Sequence, residues 1–282
     1  GNELNATASG EMDNGFTWSY SMELDPADGG TATNDDSQLV IGMNNLGTIG
    51  FFDSEGGLSQ ELAYGIGALG TGTDYGNTMT IGYGLDVASH PNVQYHLPAD
   101  LLPFGIKGSI AYAPSTVADS NQSVNNIVAT NTGAITAANN TGAVYTTGSL
   151  ANNGRTFTQY AVSAAPLDGL DIGASYGEFG GSVGDTGQGA EGGAWYATYA
   201  IGNAKLGYSK SYVALATART AATYESVLGH KYSALVAVND DLSLSITRET
   251  SEANYLTSAT VAYDIEMDSV QIAYSLGGAT LS

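Results

Sequence analysis

The stretch Phe16–Asp25, which reads FTWSYSMELD, alternates strictly between apolar and polar side chains. Every second residue from Phe16 to Leu24 is apolar, and each residue between them is Thr, Ser or Glu. This period of two predicts a β-strand with one apolar face and one polar face. The stretch also has about the nine to eleven residues that a tilted strand needs to cross a bilayer.

The same alternation recurs along the chain and predicts about 13 strands. It is clear in residues 104–112, 159–164, 242–247, 259–268 and 270–276, and weaker in 38–43, 47–53, 93–97, 170–179, 193–201, 204–215 and 227–238. No stretch approaches the ~18–20 consecutive apolar residues that a membrane helix requires. The pattern therefore predicts an all-β protein.

The connections between the predicted strands differ in length. Tight turns are predicted at Asn239-Asp240 and at 267–269, whereas residues 54–92, 115–154 and 180–191 are long and rich in Gly, Asn, Thr and Ser. Short turns at one end and long loops at the other are typical of outer-membrane β-barrels.

The composition favours a barrel in a membrane over a soluble sandwich. Only 12% of the residues are charged, whereas 38 are Gly and 18 are Tyr. The polar phases carry Ser, Thr, Ala, Gly and Gln rather than the charged residues of a soluble surface. Small polar side chains suit a watery lumen, and Tyr suits a lipid boundary.

The charge and the rare residue types exclude several classes of function. Seven Lys plus Arg against 28 Asp plus Glu give a net charge of −21, which excludes nucleic acid as a partner because binding it needs clustered cations. The chain has no Cys, so disulfides and thiolate nucleophiles are excluded. His90, His96 and His230 show no metal-ligand spacing, and no enzymatic activity is expected.

Acidic clusters, such as the pairs at 35–36 and 240–241, are candidates for a bound ion. Their carboxylates could hold Ca²⁺, which prefers hard oxygen ligands, but no twelve-residue calcium loop is present. We therefore expect solvated turns and no cofactor, with Ca²⁺ at the acidic loops as the remaining alternative.

Three stretches, NGFTWSYSMELD at 14–25, DSQLVI at 36–41 and GTIGFFDSEGG at 47–57, resemble the N-terminal third of bacterial general porins. Residues 270–277, followed by 278–282, are similar to the penultimate strands of that family. The resemblance implies a single domain, residues 1–282, folded as a 16-stranded antiparallel transmembrane β-barrel that forms trimers in the bacterial outer membrane.

The resemblance also implies that a long loop after an early strand folds inward and narrows the lumen; residues 53–92 would be that constriction loop. Two features depart from the family pattern. A strand before Asn14 is hard to see, and the chain stops at Ser282 instead of closing on an aromatic residue. We expect both termini of the barrel to lie outside this sequence.

Charged residues define the predicted pore constriction. The acidic candidates are Asp53, Glu55, Glu61, Asp74 and Asp86, all within the proposed loop. Acids facing bases across a pore would create a transverse field and a preference for cations; loop acids that merely stay hydrated are the equally good alternative.

The basic side of the constriction is predicted from strand phase. Lys107 and Lys231 lie on the polar phase of their strands, and Arg155 begins a strand on that phase, so all three are candidates for the opposing cluster. Lys210 and Arg248 lie on the apolar phase. A cation facing lipid at mid-depth costs about 2–4 kcal/mol, so we expect these two at strand ends or at bulges.

These observations predict a water-filled porin for passive diffusion of ions and small hydrophilic solutes, with a preference for cations. The expected partners are outer-membrane lipid, lipopolysaccharide and two further copies of the chain. The alternative is a secreted or surface-layer, adhesin-type β protein whose long loops bind calcium or glycans. The two differ in whether the apolar phase meets lipid or is buried in a core.

Overall fold

The computed structural model describes residues 4–26, 32–53, 55–58, 86–98, 100–115, 156–180, 187–188, 191–214, 217–218, 224–255, 265–276 and 279–281. Within these ranges the regular structure consists of β-strands and three single 3-10 turns. The strands are β1 (Leu4–Glu11), β2 (Thr17–Pro26), β3 (Ala32–Gly42), β4 (Thr48–Phe52), β5 (Asn92–His96), β6 (Lys107–Ala113), β7 (Phe157–Leu167), β8 (Leu170–Phe179), β9 (Gly187–Gln188), β10 (Glu191–Ile201), β11 (Ala204–Ala214), β12 (Thr217–Ala218), β13 (Tyr224–Ala237), β14 (Leu242–Tyr255), β15 (Ile265–Leu276) and β16 (Ala279–Leu281).

Fourteen of these strands form one antiparallel sheet in which each strand pairs with the next along the chain. The short strands β9 and β12 instead pair with each other. Within the described residues the sheet ends at β1 on one side and β16 on the other. The all-β prediction is confirmed, while a closed barrel of 16 strands stays a prediction.

The connections sort by length to opposite ends of the sheet. At the short-turn end, β7 joins β8 through Asp168-Gly169 and β10 joins β11 through Gly202-Asn203. At the same end, Asn239 Oδ1 accepts hydrogen bonds from the amides of Asp241 (2.9 Å) and Leu242 (2.8 Å), a local turn that Asn favours. The other end, the long-connection end, joins β4 to β5 and β6 to β7 through the longest segments.

The two faces of the sheet differ in chemistry. The outer face carries large apolar side chains that are exposed, among them Phe51, Val93, Tyr112, Tyr160, Val162, Trp195, Tyr232, Ile246 and Ile272. The inner face carries buried polar side chains, among them Gln94, Gln159, Ser175, Ser209, Ser233, Ser245, Thr247 and Gln271. This arrangement inverts the usual apolar-in pattern of a soluble protein.

Two local predictions are wrong. The segment Leu4–Glu11 is a strand that pairs along its whole length with β2, although its small residues carry no visible alternation. No turn occurs at 267–269, because β15 runs unbroken from Ile265 to Leu276. The outward-facing residues of β15 are acidic at Glu266 and Asp268 and apolar further along the strand. In the sequence, this change looks like the boundary between two strands.

Glycines at two of the tight turns allow a matched test of the turn geometry. Gly169 and Gly202 both have positive φ, +77° and +58°, but a Cβ on Gly169 would meet the carbonyl oxygen of Ala200, whereas one on Gly202 would meet nothing. We expect Gly202→Ala to cost about 1–2 kcal/mol, from the left-handed backbone alone. Gly169→Ala should cost about 1–3 kcal/mol more because of the clash.

The measurement is urea unfolding of both variants, followed by tryptophan fluorescence. The Ala200 amide also donates to the Gly169 carbonyl (2.8 Å), so the backbone there has little room to shift. Equal losses in the two variants would contradict the close approach of the β7–β8 turn to β10.

Candidate functional site

The inner face of β10–β15 is a wall of small hydroxyl side chains. Ser209 and Ser211 on β11, Ser233 on β13, and Ser245 and Thr247 on β14 are all buried on this face. Side-chain hydrogen bonds link some of them across strands: Thr247 Oγ1 donates to Ser233 Oγ at 3.3 Å, and Ser245 Oγ donates to Gln271 Oε1 at 3.3 Å. The alternation of each strand places these residues on one side, and the antiparallel register aligns them across the sheet.

One ion pair interrupts this hydroxyl wall. Lys231 on β13 lies directly opposite Glu249 on β14, and Lys231 Nζ is 2.9 Å from Glu249 Oε1. The two side chains are only 2% and 1% exposed. A buried charge is tolerated when it is paired with an opposite one, so each residue requires the other.

The two described ends of the 53–92 segment pack on the inner face of the sheet. Leu58 and Val87 are buried in one apolar cluster with side chains from β6, β7 and β8. The sheet residues of that cluster are Ala111, Ala113, Phe157 and Phe179, all on the inner phase of their strands. The rings of Phe157 and Phe179 lie 4.5 Å apart. The segment therefore leaves the wall and returns to it on the inner side.

Side-chain amides of the wall anchor the backbone of this segment. Gln159 Oε1 accepts a hydrogen bond of 2.8 Å from the amide of Val87. Gln94 Nε2 donates to the carbonyl of Gly56. Because these backbone groups are away from water, such partners are needed to avoid the cost of an unsatisfied donor or acceptor.

The predicted acidic residues fall into three groups. Asp53 and Glu55 are exposed where the segment leaves β4. Asp86 Oδ1 accepts hydrogen bonds from the amides of Leu58 (2.9 Å) and Ala88 (3.5 Å). It thereby ties the two described ends of the segment together and caps a 3-10 turn. Glu61 and Asp74 lie outside the described residues.

The two predicted basic residues that the structure describes, Lys107 and Lys231, have different surroundings. Lys107 is exposed on the inner phase at the short-turn end of β6 and lines a cavity of about 170 Å³ with His96, Ser109 and Ser163. It lies about 20 Å along the strand from Ala113, where the inward segment packs. Lys231 is neutralised by Glu249, and Arg155 lies outside the described residues.

Sequence reasoning missed three residues that organise this site. Glu249 was absent from the predicted acids because it lies outside the proposed loop, yet it is on the same strand phase as Thr247. Gln94 and Gln159 are large amides on a phase that otherwise carries small residues. A large polar side chain at such a position indicates that it forms a hydrogen bond to the backbone of another segment.

Lys210 and Arg248 lie on the outer face, as their phase predicts, but not at strand ends or bulges. Arg248 lies in the middle of β14 and forms a two-pronged ion pair with Asp268 on β15, with Nε–Oδ1 at 2.7 Å and Nη2–Oδ2 at 2.6 Å. The expected strand-end position is wrong because β13 and β14, at 14 residues each, are longer than the nine to eleven residues that cross a bilayer.

The described part of the chain contains no group of three or more His, Cys, Asp or Glu side chains that could hold a metal ion. None of its helices is long and apolar enough to cross a membrane.

Comparison with solved structures shows that this fold is similar to that of outer-membrane porins. The in-vitro folded OmpT of Vibrio cholerae in its trimer form has a TM-score of 0.59 at 13% identity, over 98% of this chain and 76% of that chain. OmpF of Salmonella typhi, in complex with daunomycin, has a TM-score of 0.59 at 13% identity, over 98% and 78%.

An anion-selective porin from Comamonas acidovorans has a TM-score of 0.56 at 11% identity, over 98% of this chain and 74% of that chain. No protein-family model matches the sequence, and neither does any curated protein sequence. At identities this low, the similarity establishes the fold, so the resemblance to porins seen in the sequence is confirmed at the level of architecture.

The buried pair Lys231–Glu249 yields a stability prediction. Lys231→Met should cost about 3–5 kcal/mol, because it leaves a buried carboxylate without its counter-ion. The double variant Lys231→Met/Glu249→Leu should recover most of that loss. The measurement is the free energy of unfolding in urea for each single variant and for the double variant.

The exposed pair Arg248–Asp268 provides the matched control, since its side chains are 53% and 57% exposed. Asp268→Asn should have a much smaller effect, because water screens exposed ion pairs. A double variant no more stable than Lys231→Met would show that the two charges do not depend on each other.

Proposed function

We propose that this protein is a porin, a water-filled channel for passive diffusion of ions and small hydrophilic solutes. The observation that carries the proposal is the inward packing of Leu58 and Val87. Inward packing at both described ends of this segment supports a role in narrowing a lumen. Residues 53–92 are therefore proposed as the constriction loop.

The proposed location is the bacterial outer membrane. The exposed apolar outer face and the buried polar inner face support it, because lipid covers apolar side chains and a lumen hydrates polar ones. A sheet in lipid must also satisfy its edges, which supports closure into a barrel; 16 strands are proposed from the sequence resemblance. A homotrimer is proposed because one structural neighbour is described in a trimer form.

The proposed ion preference is for cations. The pairing of Lys231 with Glu249 cancels one of the few cations on the inner face, while Asp53 and Glu55 stay exposed where the inward segment begins. Lumen charge of one sign selects ions of the other sign. Transport is proposed to need no catalytic step and no cofactor; Ca²⁺ bound at the acidic loops is the alternative.

Single-channel conductance in a planar bilayer tests this function. Purified protein should insert in steps, and a KCl gradient should give a reversal potential that favours cations. Asp53→Asn/Glu55→Gln should move the reversal potential towards zero, because it removes acidic charge beside the inward segment.

Glu266→Gln/Asp268→Asn is the charge-matched control, since both carboxylates are exposed on the outer phase of β15, and it should leave the reversal potential unchanged. Protein that inserts but shows no selectivity would contradict the proposed ion preference alone. Protein that remains soluble without detergent and gives no conductance would contradict the porin and favour the surface-layer alternative.

A second measurement asks whether the outer face meets lipid. Ile246 on β14 and Val238 in the β13–β14 turn are both 54% exposed, but only Ile246 would lie at mid-depth in a bilayer. Ile246→Arg should lower the free energy of unfolding in vesicles by about 2–4 kcal/mol, and Val238→Arg by no more than about 1 kcal/mol. Equal small losses would indicate that water, not lipid, surrounds Ile246.

A further inference from the structure

The outer face has an apolar groove across β7, β8 and β10. Three alanines, Ala164, Ala174 and Ala197, form its floor, and its volume is about 330 Å³. Its walls are Val162, Ile172 and Trp195. Small side chains beside large ones leave a depression in a sheet surface, and an apolar depression in contact with lipid fits an acyl chain.

A cation lies beside this groove. Lys210 on β11 is directly opposite Trp195 in the register of β10 and β11. Lys210 forms no ion pair with any residue in the described ranges. The adjacent His230 is engaged, since its Nδ1 lies 2.8 Å from the Tyr208 hydroxyl, and Tyr208 packs edge-on against Trp195.

Lys210 also lies towards the long-connection end of the outer face, two residues further along β11 than Tyr208, whose partner Tyr232 lies opposite Arg248. It is roughly 16 Å above the β10–β11 turn if the strands tilt by about 45°. Two residues further up, Tyr176 and Tyr212 mark the level of an aromatic belt, and Tyr176 donates a hydrogen bond of 2.7 Å to Glu191. A lysine at this level extends its ammonium towards the interface.

We infer that this groove and Lys210 form a binding site for one anionic phospholipid, with an acyl chain in the groove and its phosphate on Lys210. The inference rests on the proposed membrane-spanning barrel. A single unpaired cation matches a lipid with one phosphate better than a glycolipid with several. Arg248, the next cation on this face, is already neutralised by Asp268.

Trp195 itself reports on occupancy. The chain has two tryptophans, so Trp18→Phe leaves Trp195 as the only one, in the wall of the groove. The protein is reconstituted in phosphatidylcholine vesicles that contain brominated phosphatidylglycerol or, separately, brominated phosphatidylcholine, and quenching of Trp195 is measured. Brominated phosphatidylglycerol should associate about fivefold more strongly, which corresponds to about 1 kcal/mol for one lysine near the headgroups.

Substitutions separate the two parts of the site. Lys210→Gln should bring the preference to about one, whereas Lys205→Gln, on the opposite phase of the same strand, should keep it. Ala174→Leu, which fills the groove, should also lower the preference. Ala234→Leu, on the outer face outside the groove, should not.

Each remaining outcome has a defined consequence. Equal quenching by the two brominated lipids, or a preference that survives Lys210→Gln, would overturn the lipid site while leaving the conductance result intact. Lipid A that relieves the quenching more strongly than unlabelled phosphatidylglycerol would overturn the assignment to a single-phosphate lipid. No quenching by either lipid would overturn the membrane-spanning barrel and the site together.

Discussion

The rest of the structure depends on the alternation of side chains across a continuous antiparallel sheet. Each strand of this sheet between β1 and β16 pairs on both sides, so its backbone satisfies its own polar groups without help from water. The two faces can therefore carry side chains of different polarity. Val162 and Ile246 are exposed on the outer face, whereas Gln159 and Thr247 are buried on the inner face. This distribution is the reverse of that in a soluble domain. A polar inner face can in turn hold a segment such as 86–90 by amide hydrogen bonds.

The same constraint explains where the alternation changes character. In the proposed barrel, a strand longer than the bilayer is wide would extend beyond the lipid, and polar residues could face outward from that point. On β15 the outer phase is acidic at Glu266 and Asp268 and apolar from Val270 onward. Arg248 on β14 pairs with Asp268 at this boundary, where the proposed barrel would let the side chains reach water and the charges would be least costly. The outer-face charges therefore mark the edge of the apolar band.

The fold could be predicted from the sequence wherever side chains differ strongly between the two faces. The predicted range 170–179 coincides with β8 (Leu170–Phe179), and 204–215 with β11, to within one residue. β1 could not be predicted, because Leu4–Glu11 has small residues on both phases and becomes a strand by pairing with β2. The site was less predictable. Phase alone placed Lys231 on the inner face, but its partner Glu249 depends on the register between β13 and β14.

Because the chain has few cations, the position of each one strongly affects how charge is distributed over the protein. Only seven Lys and Arg are present, and the structure cancels two of those it describes, Lys231 against Glu249 and Arg248 against Asp268. The first cancellation removes positive charge from the inner face without exposing the carboxylate that provides it. In the proposed channel, the exposed acidic residues at the start of the inward segment, Asp53 and Glu55, would then meet fewer opposing cations. Lumen charge would set the selectivity, so the strand register that pairs Lys231 with Glu249 would also influence the field in the lumen.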